Sequence, residues 1–228
     1  MTACFAWRMT DIPMFPLGSV LFPHMPLQLR IFEDRYLAML ASMIETERTE
    51  FGVVLIERGQ EVGGGEHRYS YGTVASVTQM AAGDGFVGLV ALGAERIEVV
   101  EWLDDRPFPR AEVRELDDLE WSDDLDTLRH TADTAVRRIL AIASEFSDQY
   151  WPPDVALSDD PAEAAWQLAA IAPVGEVDQL RLLRSTSMEG LLTAIIEVTE
   201  EAAVAFSVPW SDAAPDGLPD DDDEVPDN

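Results

Sequence analysis

The side chains that could carry out acid–base, nucleophilic or metal chemistry are few and widely separated in this sequence. His24, His67 and His130 do not share the short spacings of metal ligands. Cys4 is the single cysteine, so no internal disulfide or thiolate cluster can form, and we expect an inert thiol. No serine lies in a Gly-x-Ser-x-Gly elbow. The sequence therefore predicts no metal, no cofactor and no catalytic centre.

Pairs of adjacent aspartates are the remaining candidates for chemistry, since two carboxylates flank the scissile bond in glycosidases. The pairs are Asp104-Asp105, Asp117-Asp118, Asp123-Asp124 and Asp159-Asp160. All four lie at boundaries between predicted elements, where acids commonly begin helices or occupy solvated turns. We interpret them as structural, and we expect the protein not to be an enzyme.

The chain contains no lysine, because all 15 of its positive residues are arginines. A Walker A phosphate loop needs a lysine that reaches the β and γ phosphates. Ser-Lys peptidases, Schiff-base enzymes and pyridoxal phosphate enzymes need one as well. The composition excludes these mechanisms for this chain.

The charge is strongly acidic: 44 Asp and Glu residues against 15 arginines give a formal net charge of -29. Affinity for nucleic acid depends mainly on basic side chains that neutralise phosphates, so this composition argues against a nucleic-acid partner. Anionic membrane surfaces are repelled for the same reason. The apolar stretches are shorter than the roughly 18 to 20 residues that cross a bilayer, and residues 1–8 do not resemble a secretion signal. We expect a cytoplasmic protein with no membrane partner.

Hydrophobic periodicity divides the chain into a strand-rich part followed by a helical part. Residues 14–117 contain about seven short strand patterns, two of which are Phe86–Leu92 and Glu95–Leu103, and one amphipathic helix over residues 36–44. This arrangement can close into a small β-barrel. A turn at Ala82-Gly83-Asp84-Gly85 predicts a hairpin. Residues 118–207 carry four helical patterns, with Pro161 at the start of the second. We expect a flexible N-terminus at 1–13, with Met9 as the first folded residue, and a disordered acidic tail at 208–228.

The run from Met14 to Tyr36 resembles the opening of the Lon protease N-terminal (substrate-binding) domain family. The matching elements, in order and at family spacing, are Phe15-Pro16-Leu17, Leu21-Phe22-Pro23, Pro26-Leu27, Ile31-Phe32-Glu33 and Arg35-Tyr36. Two later segments, Phe51–Leu55 and Tyr71–Ala75, are similar too. The resemblance covers residues 14–116 well and extends more weakly to residue 206, through Gln179–Leu183.

The resemblance implies an α+β fold, with a PUA-like β-barrel followed by a C-terminal helical bundle. It also implies a non-catalytic module that engages unfolded or hydrophobic polypeptide, or a protease or chaperone partner. The lysine-free chain cannot supply the ATPase or the Ser-Lys peptidase activity of the full protease. Two alternatives remain open: a small-molecule sensor with a pocket between barrel and bundle, and a nucleic-acid-binding PUA-like module, which the charge disfavours.

The candidate peptide-binding residues are Phe22, Met25, Arg30 and Arg35. Phe22 and Met25 lie in a proline-flanked loop where they either plug the end of the barrel or stay exposed as adaptable contacts for a peptide. Arg30 and Arg35 would give that loop a cationic setting, and a barrel edge would bond the main chain of an extended client. Alternatively, Glu33 or Asp34 caps and charge-matches the first turn of the following helix, and Arg35 pairs with an acid of the barrel.

Overall fold

The computed structural model describes residues 9–56, 68–144 and 151–207. These residues form six strands and five α-helices, with a short 3₁₀ turn before the second helix. The strands are β1 (Met9–Leu17), β2 (Pro26–Ile31), β3 (Glu50–Ile56), β4 (Arg68–Ala82), β5 (Val87–Trp102) and β6 (Arg110–Glu115). The helices are α1 (Asp34–Glu45), α2 (Asp126–Ala143), α3 (Pro161–Ile171), α4 (Glu176–Leu183) and α5 (Met188–Ser207). The predicted α+β class is confirmed.

The strands form one mixed sheet in the order β2-β5-β4-β3-β1-β6, and β6 also pairs with β5. The five strands β5, β4, β3, β1 and β6 thus form a closed ring of pairings, and β2 pairs with β5 outside that ring. β5 can serve both partners because it is 16 residues long: its first half pairs with β2 and its second half with β6. The sequence predicted two strands here, Phe86–Leu92 and Glu95–Leu103, and this division is wrong. A β-bulge in the pairing with β4 bends one continuous strand instead.

The first strand begins before residue 14, the predicted start of the strand-rich part. β1 starts at Met9, and residues 9–13 pair antiparallel with β6 from Arg114 to Arg110. The flexible N-terminus predicted for 1–13 is therefore wrong for 9–13, since main-chain bonds to β6 order this segment. Residues 1–8, 57–67, 145–150 and 208–228, which include the predicted acidic tail, lie outside the described residues.

Helix α1 confirms the predicted amphipathic helix and covers one part of the sheet. Tyr36, Met39, Leu40 and Met43 are its buried residues. The ring of Tyr36 stacks on Phe15 of β1 with a centroid distance of 3.9 Å. The turn between β4 and β5 is also as predicted, because Gly83 N–H donates to Phe86 C=O and Gly85 adopts a φ of 76°.

The four C-terminal helices pack around a core that also takes in residues from the sheet side. Their buried side chains include Val136, Leu168, Leu183 and Ile195. Phe22 and Leu55 belong to the same cluster, so the sheet and the helices share one apolar interface. Pro161 is the first residue of α3, as predicted, and the Asp160 carboxylate accepts the N–H groups of Ala162 and Glu163.

Candidate functional site

The loop between β1 and β2 carries the two apolar residues that the sequence singled out, and the structure separates their roles. Phe22 is only 2% exposed and its ring centroid lies 6.3 Å from that of Trp166 in α3. Of the two alternatives for Phe22, the exposed one is therefore wrong, because its ring is buried at the interface between sheet and helices. Met25 is half-buried and packs against both the helical core and the core beneath α1.

Main-chain bonds fix the loop against β5. The N–H of His24 donates to Gly93 C=O at 2.8 Å, and the N–H of Gly93 donates to Met25 C=O at 2.9 Å. His24 adopts a φ of 60°, which non-glycine residues rarely do. A Cβ on Gly93 would lie 2.1 Å from the Phe22 oxygen, so only glycine permits this approach. The loop is thus presented in one defined conformation.

Met25 lies in the wall of a small apolar pocket between the loop and the helices. The pocket has a volume of about 170 Å³ and is lined by Leu17, Ser19, Val20, Leu21, Phe22, Met25, Pro26, Leu27, Trp151 and Ala170. Trp151 is 42% exposed at this site. Since an apolar cavity of about 150 Å³ accepts benzene, this pocket is large enough for one leucine- or phenylalanine-sized side chain.

The two arginines of the predicted site are not gathered at the pocket. Arg30, near the end of β2, places its guanidinium carbon 4.2 Å from the centroid of Phe86. Arg35 donates from Nε to Glu33 at 2.9 Å and lies over the ring of Tyr36. The prediction that Arg30 and Arg35 give the loop a cationic setting is therefore wrong, because their guanidinium groups contact Phe86, Glu33 and Tyr36 instead. Of the two acids expected at the start of α1, Glu33 precedes the helix but its side chain makes no capping bond, whereas Asp34 lies in the first turn, where its charge is favourable.

Arg35 also contributes to a charged group that includes the loop after β5. The pKa of Asp105 is lowered, first by hydrogen bonding from Arg68 and further by the nearby charges of Arg68 and Arg35. Arg68 in turn lies over the Trp102 ring at 4.6 Å. The suggestion that Arg35 pairs with an acid of the strand-rich part thus has a geometric basis in Asp105, through charge rather than through a direct bond.

A second, larger cleft lies between β5 and α3, on the other side of His24. Its volume is about 530 Å³, and it is lined by Pro23, His24, Leu92, Gly93, Ala94, Glu95, Arg96, Asp118, Leu119, Asp160, Ala162, Glu163 and Trp166. Nδ1 of His24 lies 3.6 Å from a Glu163 carboxylate oxygen across this cleft. Apolar floor residues and polar rim residues are therefore both present between sheet and helices.

Arg96 at the base of that cleft is a residue that sequence reasoning missed. It is 5% exposed and donates to the carbonyl oxygens of Leu183, Ser185 and Asp117. Burial lowers its pKa, while the charges of Asp118 and Asp117 oppose that effect. No sequence signal marks it, because an arginine in an alternating strand pattern normally faces solvent.

The described residues contain no cluster of three or more His, Cys, Asp or Glu side chains placed to hold a metal ion. Within the same residues, no helix is both long enough and apolar enough to cross a membrane.

A family model for the ATP-dependent protease La (LON) substrate-binding domain matches residues 11–201, which is most of the chain. The chain belongs to this family. The match concerns the Lon substrate-binding domain and not the protease or ATPase domains.

Two curated relatives of the Lon family are similar over about half of this chain. The Lon protease of Heliobacterium modesticaldum is 27% identical over 107 residues, which are 46% of this chain and 13% of the relative. The Lon protease of Anaeromyxobacter dehalogenans is 30% identical over 118 residues, which are 50% of this chain and 14% of the relative. The matched region is thus about a seventh of each relative.

Solved structures show the same fold. The Lon N-terminal domain protein from Xanthomonas campestris superposes with a TM-score of 0.59 at 25% identity, covering 82% of this chain and 98% of that one. The N-terminal domain of Mycobacterium avium complex Lon protease gives a TM-score of 0.58 at 16% identity, covering 84% and 99%. The predicted resemblance to the Lon N-terminal domain family is confirmed.

Proposed function

We propose that this chain is a non-catalytic module that captures apolar segments of unfolded or partly folded polypeptides, and that the pocket beside Met25 receives one apolar side chain of the client. Membership of the Lon substrate-binding family supports a protein client. The observation that carries the proposal is the 170 Å³ pocket, whose walls combine a flexible thioether with a partly exposed indole. The alternative partner is a protease or a chaperone.

Two substitutions test this site, one by enlarging the pocket and the other by filling it. Trp151→Ala removes one wall, and Ala170→Leu fills the pocket with extra methyl groups. Both should weaken the capture of a fluorescently labelled, permanently unfolded polypeptide by about 5-fold or more, since burial of one apolar side chain contributes about 1.5–3 kcal/mol. Fluorescence anisotropy measures the affinity, and urea unfolding midpoints verify that the fold is retained.

Val177→Ala is the matched control, because Val177 is an exposed apolar residue on α4 that does not line the pocket. It should bind the labelled polypeptide as the unmodified protein does. Equal affinity of all three variants would refute the assignment of the pocket. Equal loss in all three would show only nonspecific apolar adhesion.

A small-molecule ligand in the cleft between β5 and α3 is the second candidate, and the volume of about 530 Å³ is the observation that favours it. A ligand there would contact the indole of Trp166 and the carboxylate of Glu163. A metabolite library screened by thermal shift tests this candidate. A hit whose stabilisation is lost in Ala162→Trp, which narrows the cleft, would support it, and a screen without hits would count against it.

A further inference from the structure

Among the described residues, no strand lies beside the outer edge of β2. In the described sheet β2 is the first strand in the order and pairs only with β5. Its exposure alternates, with Pro26, Gln28 and Arg30 exposed and Ile31 buried. Proteins usually cover or charge such an edge, because it is a template for another strand.

The hydrogen bonds of the preceding loop fix which amides face outward. Gly93 N–H donates to Met25 C=O at 2.9 Å, so Met25 is directed at β5. In an antiparallel pair, the main-chain groups of successive residues alternate between facing the partner strand and facing away from it. Leu27, Leu29 and Ile31 lie an even number of residues after Met25, so they face β5 as Met25 does, opposite Ala91, Leu89 and Val87. The amides of Gln28 and Arg30 therefore point away from β5, whereas Pro26 has no N–H to offer.

Charge is almost absent from the strands at this edge, although the protein as a whole has a formal net charge of -29. In β2 and the paired segments 76–82 and 87–92, Arg30 is the only charged residue. Its guanidinium lies over Phe86, and among the described residues it has no carboxylate within salt-bridge distance. A strand added along β2 would therefore lie beside strand segments in which Arg30 is the only charged residue.

We propose that the captured polypeptide joins the sheet as a strand along β2, bonded through the outward amides of Gln28 and Arg30, and that a carboxylate of the client opposite Arg30 strengthens binding. This inference rests on the proposed function and names the chemistry of its client: an extended, mostly uncharged segment with one acidic residue. The charge complementarity of Arg30 argues for such a client over a second copy of this chain. Two copies would each bring a net charge of -29 to the contact.

Gln28→Pro tests the main-chain bond directly. It removes the outward N–H without touching a bond to β5, and proline is tolerated at such edge positions. We expect Gln28→Pro to weaken capture of the unfolded polypeptide by about 3- to 10-fold, as one lost hydrogen bond would, while Gln28→Ala retains it. Unchanged affinity in a folded Gln28→Pro variant overturns the proposal.

Backbone-methylated peptides provide a second measurement on the unmodified protein. A strand added at a single edge uses every second amide, so two isomeric peptides, each N-methylated on one alternate set, should differ in affinity by about 10-fold or more. Equal affinities would contradict strand addition. If Trp151→Ala weakens capture while both backbone tests show no effect, the pocket stands and the β2 edge fails; if neither test shows an effect, both fail.

Charge exchange examines the role of Arg30. A client peptide with one glutamate should bind Arg30→Glu about 3-fold more weakly than it binds the unmodified protein, because an exposed ion pair contributes little to affinity. The same peptide with arginine in place of glutamate should recover that affinity on Arg30→Glu. The lack of any exchange effect would remove the acidic residue from the proposed client. Sedimentation with and without Gln28→Pro detects the other occupant: a dimer that dissociates in this variant would assign the edge to a second copy and overturn the proposal.

Discussion

The guanidinium of Arg96 lies over the indole of Trp166, with its central carbon 4.9 Å from the centroid. Arg96 belongs to β5 and Trp166 to α3, while the carbonyl groups that Arg96 bonds lie at the end of α4 and after β6. One side chain therefore connects β5 to two parts of the helical half, α3 and the end of α4, and to the segment that follows β6.

We predict that Arg96→Met destabilises the protein by about 3 kcal/mol or more, because it leaves carbonyl oxygens without partners in a buried interface. Arg96→Lys should recover only part of this loss, since an ammonium cannot match the planar fork. Arg106→Met is the control, because Arg106 is highly exposed. Urea unfolding measures all three; a loss below about 1 kcal/mol in Arg96→Met would contradict the role of Arg96.

Phe22 should behave as a core residue despite its place in the loop. Phe22→Ala should cost about 3–5 kcal/mol, the usual range for a buried phenylalanine. Phe32→Ala, at a position that is 68% exposed, should change stability by no more than about 0.5 kcal/mol. Chemical denaturation compares the two. Similar unfolding midpoints for both variants would show that Phe22 does not hold the interface together.

Thr199 offers a stabilising substitution. It is fully buried in α5, and its hydroxyl has no hydrogen-bond partner among the described residues. A buried hydroxyl without a partner costs about 1–3 kcal/mol, so the isosteric Thr199→Val should raise stability by about 1 kcal/mol. A calorimetric melt detects the rise, and Thr199→Ser should show none. A lower melting temperature for Thr199→Val would indicate that the hydroxyl is bonded in solution.

Acid should weaken the protein partly through Glu98. Hydrogen bonding from Arg114 lowers the pKa of Glu98 in the folded state, and the hydroxyl of Tyr71 contributes to the shift. The unfolded chain therefore takes up the proton first, so the stabilisation is complete above about pH 4.3, the ordinary glutamate pKa, and is lost as pH falls toward the folded pKa. Urea midpoints between pH 7 and pH 3 should fall less steeply for Glu98→Gln. Parallel curves for the two proteins would exclude this contribution.

Periodicity in the sequence was sufficient for most elements of the fold. The spacing of apolar residues located α1 and the four later helices, and the Asp-Gly turn located the hairpin between β4 and β5. Where this reasoning failed, the cause lies in tertiary contacts. β5 continues through Gly93 because its two halves have different partners, and β1 begins at Met9 because β6 lies beside it. Neither partner is visible in a local window of sequence.

The candidate site was predicted less well than the fold. Met25 was found because proline-flanked apolar residues favour exposed loops, and it does line a pocket. Phe22 has the same local signal but turns to Trp166, which is more than 140 residues later in the chain. Arg96 was overlooked because its partners are carbonyl groups, which every residue possesses and no sequence pattern reveals.

The pairing of β2 with β5 has a mechanical consequence. A pulling force along the axis of β2 would load the hydrogen bonds between Pro26–Ile31 and Val87–Leu92 in shear, so that several must break together rather than one after another. Arg96 lies in the same strand, four residues beyond Leu92. Tension in β5 would therefore reach the helices through the hydrogen bonds of the Arg96 guanidinium. A module built in this way resists traction along the strand better than peeling across it.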